Sequence, residues 1–437
     1  MADQAHNWSF FEKNYLNLFV LLDGVWVASL SLVPDFYQTG SITTLPMLRE
    51  RQGIRLDADL YEIRESRPMA LILPCLSLEL EHKGLDDVVR ELGKVNYLTD
   101  IAVSIAAPDR NTYLKVAHKF NDISTQSGKP PQFVWVDGPG VLSLVRELER
   151  EGFDLGQAGK ALSVWLAMGC LLLEPPVEVV ATHDCDIKDY DRDLLARLLY
   201  PAAHPSLDYT FVKGYYPRFG DFLYGRVTRL LVFPLLKALK EVLPHNSLLE
   251  FMNSFRYPLA GECSMKFDFI SRSNISRGWG VEISTLGEVF ERVDVEEVCQ
   301  VDLGSNYDHR HRELSPQNPN DGLHKMAIDV CKELFAMILG RSVEGTLISH
   351  VREAYTRQAY GSIYRYRDLA AFNDLSFDVA LEKETIGIFS RALFRAGQDL
   401  SENRRSELKP ANWKQIMVKL PNFLGKFGQT IAAEAPR

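Results

Sequence analysis

The sequence has no C-x-x-C pair and no zinc-ligand spacing. Its six cysteines, Cys75, Cys170, Cys185, Cys263, Cys299 and Cys331, are scattered and read as reduced core residues of a cytosolic protein. It has no G-x-G-x-x-G and no Walker loop, so dehydrogenase and P-loop chemistry lose their main support. Nor is there an excess of positive charge. The net charge is −9 over 437 residues, which argues against nucleic acid as a partner. A local cluster of Arg, Lys and metal can still hold an anion on such a chain. The most apolar stretch, 15–33, reaches the length of a membrane span. Asp23-Gly24 interrupts it, a costly pair in lipid and a turn signal in water. No Lys or Arg cluster flanks it as an orientation signal. We therefore expect buried helix or strand elements packing on the main domain, and no membrane span. The first residues are polar without a basic cluster, so no signal peptide is expected.

What is present centres on residues 177–201, VEVVATHDCDIKDYDRDLLARLLYP. The β-branched run Val177, Val179, Val180 and Thr182 reads as a buried strand. It stops at Asp184-Cys185-Asp186, and Leu194, Leu195, Leu198 and Leu199 then recur at helical spacing. Two carboxylates thus sit where a strand ends, which in an open α/β sheet is the ligand-binding edge. Residues two apart on an extended segment point the same way. Asp184 and Asp186 can therefore face one ligand, and hard oxygen donors suit Mg²⁺ or Mn²⁺. The functional reading is a metal holding a diphosphate; the alternative is a solvated Asp pair in a loop.

Around this stretch strands and helices alternate. Residues 69–73 form a strand ending at Pro74, 85–92 a helix, 101–105 a strand ending near Asp109, 112–120 a helix, 133–136 a strand and 159–173 a helix. The polar stretch 40–68 is expected to be irregular and to wrap the surface. Alternation at this spacing predicts an α/β, mainly parallel, doubly wound sheet with right-handed crossovers. Fold alone does not give function.

The second half carries more polar groups than a structural domain needs. Lys213 and Arg218 flank Tyr215-Tyr216; Gly225-Arg226-Val227-Thr228 opens an apolar helical run; Pro258 to Glu262 reads P-L-A-G-E; Glu282 lies in G-V-E-I. Asp302 ends a strand before Tyr307 to Arg312, where His309 and His311 alternate with arginines. Each has a plain alternative. Arg218 or Arg226 could be a surface ion pair, Glu262 and Glu282 could cap turns, and the histidines could pair with Asp302 or Asp308.

In this order the motifs resemble the retaining glucosyl-3-phosphoglycerate synthases and their glucosylglycerate and mannosyl-3-phosphoglycerate relatives, nucleotide-sugar glycosyltransferases of the GT-A fold. The resemblance covers residues 69–312 and rests on Gly159-Lys160, the D-x-D, F-V-K-x-Y-Y, G-R-V-T, P-L-A-G-E, G-V-E-I and Q-V-D-L-G with its His-rich turn. It implies a Mg²⁺ or Mn²⁺ cofactor held by Asp186, with Asp184 on the metal or the sugar and ribose, and by His309 or His311. It implies that Pro74, Glu79 and Asp109 belong to the nucleoside pocket, and that Gly159 and Lys160 approach the nucleotide sugar. Arg226 and Thr228, with Gly225, would hold the acceptor's glycerate group, since a guanidinium fork matches a carboxylate or phosphate. Lys213 and Tyr216 are further binding candidates. Leu259 and Glu262 join Asp186 in the catalytic group, with Glu262 contacting the donor sugar's hydroxyls; Ala260 and Gly261 are substrate-binding candidates, and Glu282 supports the loop. The reaction so implied is transfer of a hexose, glucose or mannose, with retention, from a nucleoside-diphosphate sugar to 3-phosphoglycerate or D-glycerate. The rivals are a sugar nucleotidyltransferase, which should carry a glycine-rich loop that 74–81 lacks, and a non-catalytic scaffold, which should have lost metal or acceptor residues.

The organisation expected is an N-terminal extension over 1–68, a GT-A domain over 69–314 and a helical C-terminal region over 315–437. Helices are expected over 323–339, 349–371, 379–400 and 413–427, packing over the catalytic domain or forming a dimer interface. A cytoplasmic homodimer completes the expectation.

Overall fold

The computed structural model describes residues 19–22, 25–28, 38–48, 52–126, 128–153, 155, 159–173, 176–274, 276, 278–304, 314–340, 345–402 and 412–436. The chain divides into two units, Met1–Thr39 and Gly40–Arg437. In the first, β1 (Phe19–Leu22) pairs antiparallel with β2 (Val25–Ala28), Leu22 opposite Val25 on either side of Asp23-Gly24. Among the described residues no helix is long and apolar enough to cross a membrane.

The second unit runs, in chain order, β3 (Thr43–Leu45), α1 (Gln52–Ile63), β4 (Met69–Leu76), α2 (Lys83–Leu92), β5 (Leu98–Ala106), α3 (Arg110–Lys119), β6 (Gln132–Trp135), α4 (Pro139–Arg150), α5 (Lys160–Leu172), β7 (Val179–Thr182), α6 (Arg192–Ala203) and β8 (Phe211–Tyr215). Then follow α7 (Phe233–Val242), α8 (Ser247–Ser254), β9 (Cys263–Lys266), α9 (Phe267–Ser271), α10 (Val281–Arg292) and β10 (Val298–Asp302). The chain closes with α11 (Gly322–Ile338), α12 (Gly345–Phe372), α13 (Val379–Glu402), α14 (Trp413–Lys419) and α15 (Phe423–Glu434). Three of the expected C-terminal helices are present near these positions; the fourth, expected over 413–427, is two, α14 and α15, broken around Pro421.

Eight strands form one sheet in the order β3-β10-β8-β9-β7-β4-β5-β6. Only β9 runs antiparallel to its neighbours. This is the mainly parallel, helix-covered α/β sheet expected from the sequence. Buried on both faces, its strands read as continuous apolar runs. In β4, Met69, Leu71, Leu73 and Cys75 join one core and Ala70 and Ile72 the other. The strand order steps outward from β4 through β5 to β6, then returns to β7 on the other side of β4. That reversal is a topological switch point, and the crevice outside its carboxyl ends is where such sheets bind ligands. It lies between Pro74–Leu76 and Asp184–Asp186.

The stretch 40–68 differs from the irregular wrap expected. It contributes the edge strand β3, parallel to β10, and α1, which packs on α6. Polar composition concealed both, because an edge strand of three residues and a helix buried on one side need few apolar positions.

Helix α5 carries the site's first lysine at its N-terminus and is apolar all round, as a fully buried helix must be. Its far end is seated by the C-terminal helices. Trp413 stacks on Trp165 with ring centroids 4.2 Å apart and donates from Nε1 to the Trp165 carbonyl at 2.8 Å. A Cβ on Gly169 would overlap the Trp413 ring and lie 2.9 Å from Phe427. Replacing a mid-helix glycine by alanine ordinarily stabilises by about 1 kcal/mol. Here Gly169→Ala should instead destabilise by about 1–3 kcal/mol, the cost of overpacking. A urea titration showing equal or greater stability would disprove this account of the α5–α14 contact.

Candidate active site

The switch point opens into a cleft of about 1270 Å³. The D-C-D follows β7 in the geometry expected. Asp184 and Asp186 are half-buried and line the cleft, while Cys185 turns into the core beneath. The preceding residue, His183, is fully buried. Its Nδ1 lies 2.9 Å from the Asp184 carbonyl and its Nε2 3.1 Å from the Tyr190 hydroxyl. An N–H at Nδ1 donating to the carbonyl lets Nε2 accept from Tyr190, which satisfies both ring nitrogens. From the other side α2 presses on the loop: a Cβ on Gly84 would stand 2.8 Å from the Asp186 carbonyl.

Lys160 opens α5 and points at this loop. Its Nζ is 2.7 Å from Asp184 Oδ1 and 3.4 Å from Glu282 Oε1, at the first turn of α10. Burial works against the ammonium charge, but Asp184, Glu282 and Glu262 outweigh it and push the Lys160 pKa well above the ordinary lysine value. Gly261 closes over the pair. A Cβ there would overlap Lys160 Nζ and stand 3.3 Å from both Asp184 carboxylate oxygens. Only a glycine lets the P-L-A-G-E backbone come this close.

The loop is held from behind. Lys213 in β8 is buried, and its Nζ donates to the Ala260 carbonyl at 2.6 Å. Burial lowers its pKa, with nearby Lys160 adding to the effect. Glu262 is fully buried and accepts from the Tyr216 hydroxyl. Burial and then Glu262 raise that phenol's pKa well above the ordinary range. Tyr216 also packs edge-on against Tyr257, whose hydroxyl accepts from Arg218 Nη1 at 3.0 Å.

Elsewhere on the cleft wall, Gly225 turns the chain at φ +69°, and a π-helical turn, Val227–Val232, leads into α7. Such turns are frequent at functional sites. Arg226 and Thr228 line the cleft there. Arg226 Nε donates to Glu382 Oε1 at 3.1 Å, and Arg229 donates from Nη1 and Nη2 to the same carboxylate at 3.0 and 3.2 Å. Glu382 belongs to α13, so the C-terminal helices form a wall of the cleft.

The structure thus gathers Pro74, Glu79, Gly159, Lys160, Asp184, Asp186, Tyr216, Gly225, Arg226, Thr228, Leu259, Gly261 and Glu282 around one cleft. It does not bring four others to its surface. Asp109 caps α3, accepting from the Thr112 N–H and hydroxyl at 3.0 and 2.7 Å. Lys213, Ala260 and Glu262 lie behind the wall, for the packing reasons above. His309 and His311 lie outside the described residues. Three contributors escaped the sequence reading: His183, Tyr257 and Glu382. Only Glu382 had a signal, a carboxylate in register with the buried positions Thr385, Ile386 and Phe389 of an amphipathic helix.

Among the described residues no group of three or more His, Cys, Asp or Glu side chains is assembled for a metal. Asp184 and Asp186 nonetheless fit Mg²⁺ or Mn²⁺ chemically, because Mg²⁺ is commonly held by one or two carboxylates together with substrate phosphates and water.

An open α/β sheet with paired carboxylates and a lysine at its switch point places charged side chains where proteins of this class bind their ligands. No family model matches the chain. It is 36% identical over 394 residues to a glucosyl-3-phosphoglycerate synthase of Persephonella marina, covering 90% of this chain and 96% of the relative. A second glucosyl-3-phosphoglycerate synthase, from Methanococcoides burtonii, is 32% identical over 410 residues, covering 92% and 98%. A solved glucosyl-3-phosphoglycerate synthase of Mycobacterium tuberculosis, in complex with Mn²⁺, UDP-glucose and phosphoglyceric acid, aligns at a TM-score of 0.48 and 20% identity, over 68% of this chain and 87% of that one. The chain belongs to the glucosyl-3-phosphoglycerate synthase family and is a glycosyltransferase.

The Gly261 contact gives a direct check on the Lys160–Asp184 pair. Gly261→Ala should displace Lys160 from Asp184 and lower the unfolding midpoint modestly, because the overlap falls on the tip of a flexible lysine but weakens its pairing. Misplacement of about 1 Å in a catalytic site can cost about 10²-fold in rate. A turnover number within twofold of wild type would show that the close approach is not needed.

Proposed function

We propose that this chain transfers glucose, with retention, from a nucleoside-diphosphate glucose to 3-phosphoglycerate. The observation that carries the reading is the cleft itself, lined by Lys160, Asp184 and Asp186 and also by Arg226 and Thr228. A donor diphosphate and an acceptor carboxylate or phosphate are both anionic; two carboxylates that suit a divalent ion would meet the first, and a guanidinium the second. The family's relatives carry the same activity in their name.

In the reaction the bond from the anomeric carbon to the diphosphate oxygen breaks, and its electron pair stays on that oxygen. The sugar becomes oxocarbenium-like. The acceptor hydroxyl oxygen bonds to the same face of that carbon, and its proton passes to the departing diphosphate oxygen. This same-face route suits the observed geometry. Glu262 is fully buried and hydrogen-bonded to Tyr216, so it supports the wall instead of attacking the sugar. Lys160 keeps its proton and holds Asp184 in place. A divalent ion, when bound by Asp184 and Asp186, supplies Lewis-acid stabilisation of the leaving diphosphate. Arg226 and Thr228 orient the acceptor, and Tyr216, Tyr257 and Arg218 line the same cleft. Catalysis on this reading is positioning and electrostatics.

The same reading places the enzyme in the cytoplasm as a homodimer. All six thiols are buried and free, as a reducing compartment allows. Tyr360, Tyr364 and Phe372 expose an aromatic stripe on α12, which supports association. Light scattering that returned the mass of one chain would sink the dimer.

The transfer itself is tested by counting nucleoside diphosphate released from UDP-, GDP- or ADP-glucose in the presence of Mg²⁺ or Mn²⁺. Release should depend on 3-phosphoglycerate, and chelation should abolish it. Asp186→Ala should lower turnover by about 10²-fold or more, the scale of losing one preorganised electrostatic contact at developing charge. Full turnover in that variant would rule out its metal role. Equal release without acceptor, or with D-glycerate in its place, would overturn the choice of acceptor.

A further inference from the structure

The acceptor end of the cleft is completed by a residue of the C-terminal helices. We infer that Glu382 is a positioning residue for Arg226, fixing its guanidinium so that the Nη fork faces the acceptor; the inference rests on the acceptor role proposed for Arg226. Glu382 lies in the first turn of α13 and is 3% exposed. Its two oxygens take three hydrogen bonds, one from Arg226 and two from Arg229. Arg229 is anchored in turn. It donates from Nε to the Tyr224 carbonyl at 2.7 Å and from Nη2 to the Leu223 carbonyl at 3.1 Å, and its guanidinium lies 4.8 Å from the Tyr366 ring centroid. A second tie joins the same segments: the Ser376 N–H donates to the Asp221 carbonyl at 2.9 Å, in a bridge between Phe222 and Ser376. The turn before Arg226 and the start of α13 are therefore clamped together. Against this frame Glu382 engages only Nε of Arg226. That leaves both Nη groups of a side chain that is 28% exposed and lines the cleft. A carboxylate or phosphate accepts from such a fork in bidentate geometry.

A purely structural Glu382 would merely neutralise buried Arg229. The two roles differ in what they move. For positioning, Glu382→Gln and Glu382→Asp should raise the 3-phosphoglycerate KM by between about 10-fold and 10²-fold, with the donor KM within twofold of wild type. The Asp variant keeps a charge for Arg229 while drawing back from Arg226. A double-mutant cycle isolates the coupling: in an Arg226→Ala background, Glu382→Gln should have no further effect on acceptor binding. Calorimetric titration of 3-phosphoglycerate onto the full chain reads this without turnover. Equal changes in donor and acceptor constants, acceptor constants unchanged in folded variants, additive effects in the cycle, or failure of both variants to fold would each overturn the assignment. A wild-type chain that binds 3-phosphoglycerate without turning it over would sink the transfer reading and leave the binding comparison to decide on Glu382. One that does not bind it would overturn the assignment as well.

Discussion

The ion pair between Lys160 and Asp184 is the contact on which the rest of the site depends. It joins the N-terminus of α5 to the end of β7, two elements on either side of the switch point, and a third element closes over it. Two carboxylates and a lysine taken out of bulk water are costly unless each finds a partner. Asp184 and Glu282 both reach Lys160, and Gly261 supplies a backbone with no side chain to displace them. The pair also sets local polarity. A lysine held charged beside one carboxylate leaves Asp186, two residues on, on the same cleft.

Around that contact the wall is built in layers. Tyr216, Glu262 and Lys213 do not touch the cleft's contents as a group; two of them stand behind it. Lys213 holds the Ala260 carbonyl and Tyr216 holds Glu262, so the P-L-A-G-E loop is fixed by buried hydrogen bonds. Such bonds are expensive to leave unmade, which makes the loop a rigid lip over Lys160 and Asp184. His183 does the same for the D-C-D through the Asp184 carbonyl. Site geometry set by supporting residues in this way is what positioning catalysis requires.

The Arg226 side of the cleft is organised differently. Arg226 lies ahead of α7, but the carboxylate that takes its Nε belongs to α13, more than 150 residues later in the chain. The C-terminal helices therefore do more than cover a core. They seat α5 through Trp413 and complete the cleft through Glu382. A large enzyme core can build a cleft this way because long-range packing fixes side chains that a short loop could not hold.

Much of this was legible in the chain. Apolar runs mark β4, β5 and β7, because a parallel strand buried on both faces tolerates little else. The D-x-D at the end of one of them marks the ligand edge, since side chains two apart share a face. The C-terminal helices show in their 3.6-residue period. Tertiary structure decided the remainder. Asp109 is an exception, because its helix cap is local: it stands three residues before Thr112 and accepts from its N–H and hydroxyl. Lys213, Ala260 and Glu262 moved behind the wall because β8 and β9 are adjacent strands, which no local pattern states. Within 40–68, β3 found its place on the edge of β10 and α1 its place on α6. His183, Tyr257 and Glu382 gained their places only through partners distant in space. Period and composition report what a residue would bury; which charged group it meets when buried is settled by strand order and helix packing, and so by the whole fold.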